Sequence, residues 1–164
     1  RSLGLALSIV ELKVSSPNSS HEASNSQVKP VFKQLTPGQA QNNSWSQIYN
    51  PETWRDGLTT WTKGNAVCTA TWQHPDPPRF LLVEIAGTAP DGSPLSIVIN
   101  NTEVVSKKSI KGNWTQLIDI SQVPPAEQMK ITILSNTFTP IQKDGKTNES
   151  RVLGVALRQV IMVQ

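Results

Sequence analysis

The 164-residue chain has one cysteine, Cys68, and two histidines, His21 and His74. A lone cysteine excludes an intrachain disulfide. In the alternating stretch "NAVCTATW" it reads as a small apolar packing residue. With few His and Cys, and 12 acidic residues scattered along the chain, no metal-ligand cluster is expected. Neither histidine stands beside a nucleophile in a recognisable motif, and G-x-S-x-G, H-E-x-x-H and paired-cysteine motifs are missing. Glu52, Asp56 and Glu84 could be carried across a cleft as a glycosidase carboxylate pair, yet nothing in the sequence requires it. The expectation is a non-enzymatic protein with no metal and no cofactor. No run approaches the roughly eighteen apolar residues of a membrane helix, so no membrane span is expected. No signal peptide precedes the apolar opening, and Arg1 is read as a processed or trimmed start.

Charge of either sign is also sparse. Charged residues make up 16% of the chain, and 15 Lys and Arg against 12 Asp and Glu leave a net charge of +3. The densest basic group, Lys107, Lys108 and Lys111, falls on a candidate hairpin and reads as a lysine-guarded sheet edge. A nucleic-acid binder would carry a basic stripe with interleaved aromatics. No nucleic-acid partner is expected.

The chain is instead rich in Ser, Thr, Asn and Gln, with 12 prolines, 9 glycines and 37% apolar residues. That mixture suits strands and turns better than helices. It predicts an all-β antiparallel sandwich of about nine strands with no long helix. Residues 1–14 read as a strand, with Leu3, Leu5, Leu7 and Ile9 at period two. A phase slip to Val10, Leu12 and Val14 would suit a β-bulge. A helix competes for this stretch, but Gly4 and the lack of a cap argue against it. Residues 15–27, "SSPNSSHEASNSQ", are almost free of apolar side chains and read as a polar linker. Residues 28–164 are expected to form the sandwich. Within it, "VKPVFKQL" is a short strand and "RFLLVEIAGTA" a central one. "LSIVINNTEVVSKKSI" is a hairpin turning at Asn100-Asn101, because asparagine tolerates the left-handed conformations of a tight turn. "NWTQLIDI" and "MKITILSNTF" are two further strands, and "RVLGVALRQVIMV" closes the chain.

The two ends resemble each other. "RSLGLAL" at 1–7 lies over "RVLGVAL" at 151–157 at an offset of 150 residues. Three explanations are open: the last strand of a preceding module, a strand pairing with 151–163 in one sheet, or a mobile strand exchanged with a neighbouring copy.

Four of the five tryptophans lie between Trp45 and Trp72. Sugar rings present apolar C–H faces to aromatics and hydroxyls to planar polar groups, and this segment is dense in both. Tryptophans in a small sandwich also fill the core and seal its ends. Trp61 and Trp72 fit that structural role, since each sits in or beside an alternating strand. Trp54, in the turn-like "NPETWRDG", is the candidate exposed platform, with Tyr49, Glu52, Arg55 and Trp45 as candidate sugar contacts. Trp114 either caps the core or protrudes. Arg151 either closes an ion pair with Glu52 or Asp56, or presents its guanidinium to a ligand. Five N-x-[ST] sequons, at Asn18, Asn42, Asn100, Asn113 and Asn148, are candidate glycosylation sites of an extracellular glycoprotein.

The run "IYNPETWRDGLTTWTKGNAVCTATW" resembles the start of jelly-roll accessory domains attached to bacterial cell-surface glycosyltransferases. The hairpin "LSIVINNTEV" resembles theirs, with Asn101 where glycine is usual. So does "FTPIQKDGKTNESRVLGVALRQVIMV", with its Phe-x-Pro, polar loop and Arg-x-Leu-Gly closing strand. The likeness covers about residues 45–164 and includes Tyr49, Glu52, Trp61, Asn100 and Arg151. It implies a galactose-binding-like sandwich outside the cytoplasm, non-catalytic, serving glycan recognition or a surface assembly. The resulting expectation is a carbohydrate-binding or accessory module of a cell-surface glycan system, with a glycan or cell-surface polysaccharide as partner. The alternative is a structural subunit of a surface layer or filament, joined to copies of itself by strand exchange through residues 1–14.

Overall fold

Period-two alternation dominates the chain. The computed structural model, which describes residues 31–37, 43–55, 57–140 and 150–164, contains ten strands and no helix among them. They are β1 (Phe32–Gln34), β2 (Asn43–Ile48), β3 (Glu52–Trp54), β4 (Gly57–Thr71), β5 (Phe80–Gly87), β6 (Ser93–Ile99), β7 (Thr102–Ile110), β8 (Trp114–Asp119), β9 (Gln128–Ser135) and β10 (Ala156–Val163). Residues 1–30, including the end likeness, the linker and the sequon at Asn18, lie outside the described residues, as do Asn42, Asp56 and Asn148.

All pairings are antiparallel, and the fold is a β-sandwich of jelly-roll type. One layer runs β1-β10-β5-β8 and the other β2-β4-β9-β6-β7. The layers are joined by β4, 15 residues long. Its first residues pair with β3 and β10, through Thr60↔Leu157 and Trp61↔Ala156, and its later ones with β2 and β9.

The inward positions of both layers meet in one core. Leu81, Val83 and Ile85 of β5 and Val160 and Met162 of β10 face Met129, Ile131 and Ile133 of β9 and Leu95, Ile97 and Ile99 of β6. All are buried, each side chain stabilising the fold by about 1.5–3 kcal/mol of transfer free energy. Cys68 packs here too. Burial pushes its thiol up to about 12, only weakly opposed by the charge of Lys33. Trp61 and Trp72 are buried, and Trp114 packs partly buried against the core.

The β6–β7 hairpin turns at Asn100 and Asn101, with φ of 45° and 72°, as a type I′ turn demands. The Asn100 side chain is engaged as well: its Oδ1 accepts from Lys130 N at 2.8 Å. β7 is an edge strand whose Lys107 and Lys108 are exposed. The closing strand begins later than its sequence pattern suggests, at Ala156 rather than Arg151. Residues 153–155 instead clamp the bend in β4. Gly154 N donates to Thr62 O at 2.7 Å, Val155 N to Thr62 Oγ1 at 3.0 Å, and Thr62 N to Val155 O at 3.0 Å.

Candidate functional site

At the end of the sandwich where β4 changes layers, a second, smaller apolar cluster forms. Trp61, Ala86, Leu153 and Ala156 are its buried members, with Tyr49, Trp54 and Phe138 packed against them. Trp61 meets Trp54 edge-on at 5.3 Å and Phe138 edge-on at 5.9 Å, the offset geometry aromatic quadrupoles favour. Phe138 is brought in by a two-way backbone bridge to Leu153, 2.8 Å in each direction.

Above this floor opens a cleft of about 580 Å³. Trp54 and Arg55 come from the tight β3–β4 turn, where Trp54 pairs with Gly57 and Arg55 adopts φ 56°. The Trp54 ring edge lies on Gly87, leaving no room there for a side chain. The Arg55 guanidinium stacks on the same indole, 4.3 Å from its centroid, and its Nη1 donates to Asn113 Oδ1 at 3.1 Å. That bond ties the β3–β4 turn to the β7–β8 turn, which carries Lys111 and Gly112. Gly112 N donates in turn to Thr88 Oγ1 at 3.0 Å, fixing the β7–β8 turn to the loop after β5.

Glu52 and Arg151 form the other rim. Arg151 grips the carboxylate with both terminal nitrogens, at 3.1 and 3.4 Å, so the ion-pair alternative is the one realised. Both side chains are about one-third exposed, at 35% and 30%. Tyr49 stands behind this pair. Its ring lies 5.2 Å from the Arg151 guanidinium, and its hydroxyl donates to Val152 O at 3.2 Å.

Of the residues singled out from the sequence, Trp54, Glu52 and Arg55 line the cleft and Tyr49 supports it. Trp45 is not brought to it. It pairs with Cys68 at the far end of β4, packs on the main core and donates its indole N–H to Leu35 O. Glu84 is bound to Arg158 at 3.4 Å on β10 and does not join Glu52. Among the sequons, Asn113 is exposed at the cleft mouth, whereas the Nδ2 of Asn100 donates to Gln128 O at 3.4 Å. Gly87, Lys111, Phe138 and Pro140 were not visible as site residues. The signal for Gly87 was there: a glycine inside an apolar strand marks a close approach.

A larger cleft, about 730 Å³, lies beside Trp72, His74 and Pro75 at the other end of β4. Its tryptophan is buried and its N–H is already donated to Asp76 O at 2.7 Å. It therefore offers little aromatic surface, and the cleft over Trp54 is the stronger candidate. The described residues hold no group of His, Cys, Asp and Glu able to bind a metal. No helix among them is long and apolar enough to cross a membrane.

Fold and site together define a β-sandwich with an aromatic-floored, charge-rimmed cleft at one end. No protein-family model matches the sequence, and no curated protein matches it, so the likeness to glycosyltransferase-linked accessory domains has no counterpart in these comparisons. Solved structures of similar architecture include a family 35 carbohydrate-binding module from Clostridium thermocellum. It is 10% identical with a TM-score of 0.49, covering 82% of this chain and 97% of that one. A carbohydrate-binding module with specific mannan recognition is 10% identical with a TM-score of 0.46, covering 83% and 98%. An acetyl xylan esterase from Butyrivibrio proteoclasticus is 8% identical with a TM-score of 0.45, covering 82% of this chain and 33% of that chain.

Proposed function

We propose that the chain is a non-catalytic carbohydrate-binding module of an extracytoplasmic, cell-surface glycan system, with the cleft over Trp54 as its site. The observation that carries this reading is the cleft's construction. An aromatic and aliphatic floor is ringed by planar polar groups from loops that hydrogen bonds hold in place. Small-ligand sites have this composition: apolar walls to take up surface, and a few placed polar groups to set orientation. A pyranose suits it, with its C–H face against Trp54 and Phe138 and its hydroxyls toward Thr88, Arg55 and the Glu52–Arg151 pair. The non-catalytic part rests on Glu52, the one carboxylate among the described lining residues. Arg151 holds it bidentate, and the described lining places no second carboxylate across the cleft to act with it.

Affinity electrophoresis and calorimetry against a panel of neutral and acidic polysaccharides test the reading. Trp54→Ala should weaken binding by about thirtyfold, the loss expected on removing a central aromatic anchor. Retention of full affinity by that variant, or no binding to any polysaccharide, would refute it.

A further inference from the structure

Among the described residues, the charge around the cleft is unbalanced. The described lining carries three cations, Arg55, Lys111 and Arg151, against the single carboxylate of Glu52. Arg151 and Glu52 face each other in a bidentate pair, which removes one charge of each sign from the count. Arg55 and Lys111 are left. The partners of Arg55 are a neutral amide oxygen and an indole face, and neither supplies negative charge. Lys111 lies beyond the end of β7 at Ile110, so guarding the strand edge does not account for it as it does for Lys107 and Lys108.

The two cations come from different turns, and those turns are locked together. The Arg55–Asn113 bond joins β3–β4 to β7–β8, and the Gly112–Thr88 bond joins β7–β8 to the wall below. Both therefore stand at one mouth, over walls of Trp54, Pro90 and Phe138. Apolar walls hold a low dielectric beneath them and concentrate the field at the opening.

We propose that the saccharide taken by this cleft carries an oxyanion, a carboxylate or a sulfate ester, held between Arg55 and Lys111. The inference rests on the cleft being a carbohydrate site. The guanidinium offers a planar fork to the two oxygens of such a group, and the ammonium adds a mobile point charge beside it.

Calorimetric titration of the 164-residue chain decides the matter, using oligogalacturonides for the carboxylate, a sulfated galactan for the ester, and neutral galacto-oligosaccharides of matched length. At least one charged probe should bind about tenfold more tightly than the neutral one. That advantage should shrink as ionic strength rises from about 0.05 to 0.5 M. Lys111→Gln, an exposed turn substitution, should cost the charged probe about threefold to tenfold and the neutral one markedly less. Preference for one charged probe over the other supports the inference and names the oxyanion. Equal binding of charged and neutral probes, or an unchanged Lys111→Gln variant, overturns it while the carbohydrate reading stands. Failure of every probe to bind overturns both.

Discussion

Gly87 sits in the last position of β5, paired with Ala156 of β10, and the Trp54 indole lies against it. Replacing it by alanine puts a methyl group into that contact. An ideal Cβ would lie 2.4 Å from Cη2 and 2.7 Å from Cζ3 of Trp54, where carbon atoms need about 3.5–4.0 Å. The ring must therefore move by about 1 Å or more. It has little freedom to do so, because Trp61 meets it edge-on at 5.3 Å and the Arg55 guanidinium stacks on it at 4.3 Å. Any such shift disturbs its contacts with Trp61 and Arg55. Overpacking of this kind costs about 1–3 kcal/mol, or about 2–4 °C in Tm per kcal/mol at this size. Set against it is the gain of about 0.4–1 kcal/mol from stiffening the unfolded chain at a former glycine.

Those two terms are separable in a double-mutant cycle. In a Trp54→Ala background the clash disappears and only the unfolded-state gain remains. Gly87→Ala should then be neutral or stabilising by up to about 1 kcal/mol, giving a coupling of about 1–3 kcal/mol between the two positions. Urea unfolding followed by far-UV circular dichroism gives all four stabilities without relying on the tryptophan being removed. Equal costs of Gly87→Ala in the two backgrounds would refute the account, since the damage would then lie in the strand rather than under the indole.

Two further outcomes test the core and the hairpin. Cys68 has its thiol raised from 9.0 to about 12 by burial, so above pH 9 the unfolded chain releases a proton that the folded chain retains. Its contribution to stability is full below pH 9 and falls as pH rises toward 12, by at most about 1.4 kcal/mol per pH unit. Urea unfolding of wild type and Cys68→Ala between about pH 8 and pH 10.5 should show the steeper decline in wild type, and parallel declines would contradict it. At the turn, Asn100→Ala loses the acceptor for Lys130 N and forces alanine to φ 45°, together about 2–3 kcal/mol. Asn101→Gly, at φ 72° on an exposed residue, should be neutral or stabilising. The reverse order of urea midpoints would contradict the type I′ assignment.

The sequence was most legible where one local rule decides the structure. The β6–β7 hairpin has alternation on both arms and two asparagines that accept left-handed φ, and nothing distant is needed to specify it. The same holds for β5 and β9, where Leu81, Val83 and Ile85 and Met129, Ile131 and Ile133 are buried at period two. What alternation cannot reveal is a strand shared between layers. The stretch from Gly57 to Thr71 is a single strand, yet its ends serve different sheets, and the change of partner is a tertiary event. The site was half legible for the same reason. Trp54, Arg55 and Glu52 are neighbours in sequence and were found together. Gly87, Lys111 and Phe138 arrive from three other segments, and only topology makes them neighbours. Trp45 drew attention by belonging to the tryptophan-rich segment, but its pairing with Cys68 carries it to the other end of β4.

The contacts around Thr62 also bear on why the two ends of the chain read alike. In "RVLGVAL" the alternating Leu and Val would suit any buried strand, but Arg and Gly have positional tasks. Arg151 grips Glu52, Leu153 bridges Phe138, and Gly154 packs where a Cβ would lie 2.2 Å from Thr62 Oγ1 and 2.9 Å from Gly64 N. These contacts bend β4 between layers and raise the cleft's far rim, so the site depends on the segment as much as on β3. In "RSLGLAL" the residues that recur are those same ones: Arg1, Leu3 and Gly4 as well as Ala6 and Leu7. The shared residue types include the arginine and glycine that have positional tasks at 151–154, beyond what strand propensity requires, since glycine weakens a strand interior.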